Sequence, residues 1–175
     1  IGQIKFDASG KIVSPGFIDV HTHAPRFRTR AEAEAAPPPP ETGAPMRPDR
    51  PDPSRVTWDD HVAAMGPVDR AIVFNIAAQP PGDPHKPGMA SDGIVRRTDL
   101  AQAVNDNVAG LVRAHPAKLI GFMSVHPRDP HVLDEMDRAT GDLGLRGIKL
   151  GPNYQNFDPL GDDAARVFAR AEELG

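Results

Sequence analysis

No cysteine occurs anywhere in the 175 residues, which excludes disulfide bridges and thiolate metal ligands together. Any bound metal must therefore rest on histidine, aspartate, glutamate or a modified lysine. Positive charge is not in excess either: 20 Lys and Arg stand against 24 Asp and Glu, for a formal net charge of -4 and a pI near 6.0. Nothing in that balance attracts nucleic acid. No apolar run approaches the roughly 18 residues of a membrane span, and no signal-peptide pattern opens the chain. Cytoplasm is the expected compartment. What remains, 39% hydrophobic and 25% charged, is the composition of an ordinary soluble globular domain able to build one sizeable core. The chain opens at Ile1 without a methionine and closes at Gly175 just after a helical pattern, so both ends read as cut.

One stretch organises the rest. Gly16-Phe17-Ile18-Asp19-Val20-His21-Thr22-His23 reads as a buried strand ending in two histidines. Residues i and i+2 of a strand share a face, so His21 and His23 converge, with Asp19 on the same parity as a supporting or packing group. Two neutral imidazoles aimed at one point suit Zn²⁺ or a similar cation. An isolated His-x-His is equally the mark of two surface histidines at a strand end. The flanking residues add to it. Ser14-Pro15-Gly16-Phe17-Ile18-Asp19-Val20-His21-Thr22-His23 resembles the first barrel strand of the amidohydrolase superfamily, the metal-dependent (β/α)₈ hydrolases and decarboxylases. The resemblance implies that His21 and His23 are metal ligands at the C-terminal end of strand 1. Residues Ile4 to Val13, two short apolar runs around the turn Asp7-Ala8-Ser9-Gly10, look like the β-hairpin that leads into this strand in many members, a lead-in over residues 1–15.

Proline is abundant, and its placement divides the chain. Between Ala24 and Arg55 stand Pro37 to Pro40, Pro45, Pro48, Pro51 and Pro53. Such density predicts an irregular loop over 24–56, either a disordered surface linker or an ordered lid overhanging the histidines. Thr57-Trp58-Asp59-Asp60 starts a short helix with a capping-box pattern, carrying Val62 and Met65. His61 lies in it as a packing or surface residue. Arg70 to Ile76 is an apolar run of strand length, followed by a second Pro/Gly-rich loop from Gln79 to Gly93 that holds His85. Leu100, Val104, Val108, Leu111 and Val112 recur at helical spacing up to His115-Pro116. Leu119 to Val125 is the third strand, with His126-Pro127 at its end. Asp129-Pro130 predicts an N-cap and first-turn proline for a helix that carries Val132, Leu133 and Met136 and stops at Gly141. Leu145 to Leu150 is the fourth strand, and Asp162 or Asp163 opens a last helix with Val167, Phe168, Ala171 and Leu174.

Strands alternating with amphipathic helices predict an α/β fold of parallel βαβ units in a single domain over 1–175. A closed (β/α)₈ TIM barrel takes roughly 200 to 250 residues, so this length, with two long loops, predicts about the first four β/α units of one. The competing open, doubly wound sheet lacks its glycine-rich phosphate loop after strand 1. Residues 107–122 and Leu145-Arg146-Gly147-Ile148-Lys149-Leu150-Gly151-Pro152-Asn153-Tyr154-Gln155-Asn156-Phe157 resemble the branch of the superfamily that includes aminocarboxymuconate-semialdehyde decarboxylase. The resemblance implies one divalent metal, zinc by preference. It also implies that a histidine on strand 5, another on strand 6 and the proton-transferring aspartate on strand 8 lie beyond Gly175, so that the catalytic set is not in these residues. Metal-activated water would then act on a small-molecule substrate. A metal-dependent hydrolase is the leading reading, a non-oxidative decarboxylase the alternative, and a non-catalytic metal-binding or incomplete relative the third. Neither nucleic acid nor membrane is expected as a partner, and self-association is left open.

Lys149 carries three readings: a carbamylated bridge between two metals, as in two-metal members of the superfamily; an inward structural or substrate-binding cation, with the small Gly147 leaving it room; or an exposed lysine. His126 and Tyr154, in loops on the same barrel end, are candidate substrate contacts or merely structural.

Overall fold

A computed structural model describes residues 9–10, 16–37, 55–66, 68–77 and 101–175. The predicted lead-in hairpin lies outside the described residues except for Ser9 and Gly10, the glycine at φ 73°. The second proline-rich loop with His85, and the prolines from 38 to 53, also lie outside them.

Three strands, β1 (Ile18–His23), β2 (Arg70–Phe74) and β3 (Leu119–Gly121), form a parallel sheet in that order. Two more, β4 (Met123–Ser124) and β5 (Ile148–Lys149), pair in parallel. Only Phe122 separates β3 from β4. Its N–H donates to the Val73 carbonyl at 2.9 Å, while the next N–H, of Met123, donates to Gly147 at 2.8 Å. A single extended run thus changes partner at Phe122, and the parallel neighbours follow sequence order, as the alternation of apolar runs predicts.

The helices cover one face. In α3 (Ala101–Ala114) the buried residues Ala101, Val104, Asn105, Val108 and Leu111 recur at helical spacing. Helix α4 (Val132–Gly141) buries Val132, Met136 and Ala139, and α6 (Asp162–Leu174) buries Ala164 and Val167. Of these, Val108, Leu111, Val132, Met136, Ala139 and Val167 meet Ala71, Val73, Leu119, Met123, Val125 and Leu145 in one apolar core. Alternation along the strands leaves Ile72, Ile120 and Phe122 on the opposite face, half-buried. A buried polar link joins the layers: Asn105 donates to Glu135 Oε1 at 2.7 Å and accepts from the Ser124 N–H at 2.8 Å, while Arg138 grips Glu135 at 2.8 Å. None of the helices among the described residues is long and apolar enough to cross a membrane.

Several local expectations are corrected. The stretch after His23 is not irregular throughout, because α1 (Arg30–Ala35) forms there with a full capping box from Thr29 and Glu32. Its Ala- and Glu-rich turn ends before the run of prolines begins at Pro37, so no missing N–H interrupts it. Asp129 does not cap α4. His131 holds the N-cap position, and the Asp129 carboxylate accepts from the His131 N–H at 2.9 Å, spanning the turn before the helix. A one-turn helix, α5 (Pro152–Gln155), stands where a loop is expected, started by Pro152 in its first turn. The predicted strand over 145–150 shrinks to the two residues of β5.

Strand β1 carries a bulge. Asp19 pairs with Ala71 but Thr22 with Val73, so three steps on β1 match two on β2. Ala71 and Val73 share the helix-covered face, which places Asp19 and Thr22 on that parity and His23, opposite Phe74, on the other. Asp19 is therefore not on the His23 face. Its carboxylate instead accepts from the His21 N–H at 2.9 Å, satisfying a backbone group that the bulge frees from the ladder.

Candidate metal centre

His21 and His23 stand at the C-terminal end of β1 with ring centres 5.5 Å apart. Both meet the Phe74 ring edge-on, at 5.0 and 5.1 Å. The Lys149 ammonium lies 4.9 Å from the same ring centre. Three of the residues singled out in the sequence thus come together on a phenylalanine that was not. Phe74 is the last residue of β2, and only the strand register, which sets it opposite His23, reveals it as the floor of the site. It is 3% exposed, covered by the polar groups it carries.

The histidine end of β1 is pinned by neighbouring elements. The Ala24 N–H donates to the Phe74 carbonyl at 3.0 Å, and Asn75 Nδ2 donates to the Ala24 carbonyl at 3.1 Å. The Pro25 carbonyl accepts from both Trp58 Nε1 and Asn107 Nδ2, each at 3.1 Å. Helix α2 (Trp58–Ala64), capped by Thr57, brings His61 to the other side of β1, where its Nε2 lies 3.4 Å from Thr22 Oγ1. Burial holds His61 below the usual histidine range; nearby Asp19 opposes this and His23 adds to it. A histidine at the sequence level reads as surface or packing, and only the crossing of α2 over β1 gives it this neighbourhood.

His126 is elsewhere, at the end of β4, and is 2% exposed. Its Nδ1 accepts from the Arg128 N–H at 3.2 Å, which leaves Nε2 as the donor to the Gln155 carbonyl at 2.8 Å. Gln155 in turn donates to Val125 and Ala77 and accepts from Gly151. The His126 ring thus fastens α5 to the strand ends. Tyr154 lies in α5, and its side chain is outside the described part of the structure.

Two imidazoles sharing one ion through nitrogens at about 2.0–2.1 Å hold their ring centres roughly 5 Å apart, so the observed spacing fits a divalent metal held by His21 and His23. Among the described residues, no group of three His, Cys, Asp or Glu assembles a fuller ligand set.

The amidohydrolase family model matches residues 18–175, and the chain belongs to that family. Its similarity to 2-amino-3-carboxymuconate-6-semialdehyde decarboxylase of Dictyostelium discoideum is 32% identity over 78 residues, 44% of this chain and 22% of that protein. Among solved structures, 5-carboxyvanillate decarboxylase from Sphingomonas paucimobilis is 19% identical with a TM-score of 0.58, covering 92% of this chain and 50% of that one. The same enzyme from Novosphingobium aromaticivorans, solved with bound manganese, gives 19% and 0.57 over 90% of this chain and 48% of its own. A putative amidohydrolase from Staphylococcus aureus gives 18% and 0.53, over 90% and 44%. These likenesses show the fold, the TIM-barrel class of the family, and the chain spans about half the length of the solved structures.

Proposed function

We propose that this chain carries part of the metal site of an amidohydrolase-type enzyme that removes carbon dioxide from a small carboxylic acid. The observation that carries the proposal is the convergence of His21 and His23 on Phe74 at the C-terminal end of parallel strands, where barrel enzymes build their sites. The decarboxylases among its relatives favour that reaction. In this reading the described strands, with β3 and β4 as one run, are the first four of an eightfold barrel, and the remaining ligands and the proton-transferring carboxylate belong to the other half.

His21 and His23 would hold the ion through ring nitrogens, with the Phe74 ring beneath them. When bound, a divalent metal supplies Lewis-acid activation of water or of a substrate oxygen. Zinc suits the two imidazoles, and manganese is the metal of one neighbour. In decarboxylation the carbon–carbon bond breaks, carbon dioxide leaves, and the electron pair left on carbon takes up a proton. Hydrolysis is the second reading, favoured by the Ser14-Pro15-Gly16-Phe17-Ile18-Asp19 lead-in.

Calorimetric titration of Zn²⁺ and Mn²⁺ tests the site. One weakly held ion per chain is expected, and His21→Ala with His23→Ala should abolish it or weaken it by more than about a hundredfold, beyond the loss of a merely supporting contact. Unchanged binding in the double variant would overturn the assignment. A panel of small carboxylic acids, amides and esters, read for carbon dioxide against amine or alcohol release, separates the two reactions.

A further inference from the structure

We infer that Lys149 is the group that receives a substrate carboxylate rather than a ligand to the metal. The inference rests on the proposed metal site for its setting, while anion binding itself does not require the metal.

Lys149 sits on β5 one residue after Ile148, whose side chain packs against the helix-side core. Alternation sends Lys149 the other way, and its ammonium lies over the ring of Phe74, which both imidazoles also meet. Among the described residues no carboxylate pairs with it. A half-buried ammonium gives up part of its hydration, and contact with an aromatic face offsets only some of that loss. An anion arriving from solvent supplies the rest.

The backbone of Lys149 is fixed while its end is free to move. Ser124 Oγ donates to the Lys149 carbonyl at 3.1 Å and accepts from the Ala77 N–H at 2.9 Å, and Asn105 holds the Ser124 N–H. Three strand ends are therefore locked at one hydroxyl, below a side chain whose four methylenes let the ammonium leave Phe74 for a ligand. The neighbouring Phe122 ring, packed over Gly147, gives that side of the face an apolar wall. A carbamylated Lys149 would instead need a neutral amine and a second ion, whereas the ammonium here rests on the face of Phe74.

The test titrates benzoate and its uncharged analogue benzamide into the chain, with and without one equivalent of Zn²⁺. Lys149→Met is expected to weaken benzoate by roughly tenfold or more, the loss of one charge-assisted contact. Lys149→Arg should keep it within about threefold, benzamide binding should not change, and Zn²⁺ affinity should be the same in all three proteins. Benzoate binding equally well to Lys149→Met and to the parent would overturn the proposal. So would two Zn²⁺ per chain in bicarbonate buffer falling to one in Lys149→Met, which makes the lysine a bridging ligand. A parent chain that binds no zinc yet loses benzoate in Lys149→Met leaves the inference standing and removes the metal reading. A parent that binds zinc but no benzoate does the reverse. Thermal unfolding of each variant checks the fold, and the arginine variant keeps the test decisive if the methionine variant is unstable.

Discussion

Gly147 is where one missing methyl shapes the candidate site. The sequence suggests that this glycine makes room for an inward lysine. In the structure the room is taken by Phe122, whose ring atoms would lie 2.6 Å from a Cβ built on Gly147. Gly147→Ala should therefore push Phe122 aside and destabilise the fold by about 1–3 kcal/mol, the usual effect of overpacking. Gly141→Ala is the control, because a Cβ there meets nothing within 4 Å and lies at the end of α4. It should be neutral or stabilising by up to about 1 kcal/mol. Urea unfolding of both variants decides this, and a Gly147→Ala protein as stable as Gly141→Ala would show that Phe122 is not held there. The same lesson applies to Asp19, whose parity with the histidines is lost to a bulge that no residue type announces.

At the scale of elements, α2 is the piece whose placement has a measurable consequence. Its capping box, Thr57 with Asp60, is readable from the sequence; its packing over β1 is not. That packing half-buries His61 and holds it below the ordinary histidine range, against the pull of Asp19 and with the help of His23. The unfolded chain then binds more protons than the folded one as pH falls through about 6.5. The stability owed to neutral His61 is complete above that value and is lost as pH drops toward its lower folded value. In the presence of a chelator, unfolding midpoints should fall between pH about 7.5 and 5.5, and His61→Gln should flatten that slope. A slope identical in the variant would mean that His61 stays protonatable in the folded protein. Helix α1 is the converse case: its Thr29 and Glu32 signal is present in the sequence, but the prolines that follow overshadow it.

At the scale of the molecule, the described residues leave apolar surface uncovered at β1. Strand β1 is at the edge of its sheet among the described residues, and Phe17, Ile18 and Val20 are 65%, 55% and 66% exposed. An apolar strand edge of this kind favours pairing with another chain. Sedimentation velocity should show concentration-dependent association of the chain, reduced in Ile18→Lys, where a charge on the edge opposes pairing. A parent chain that stays monomeric, or a variant that associates equally, would refute this.

The order of strands and helices was legible in the sequence, because apolar runs of period two and stripes at helical spacing follow from which side chains must leave water. So was the closeness of the His21 and His23 rings, since the two residues stand two apart on one strand. Phe74 as the floor of the site, Phe122 over Gly147, the locking of Lys149 through Ser124 and the role of His126 in fastening α5 were decided only by tertiary structure. Each depends on the register between strands far apart in the chain, and register is set by how whole elements pack together, which no single stretch of residues encodes.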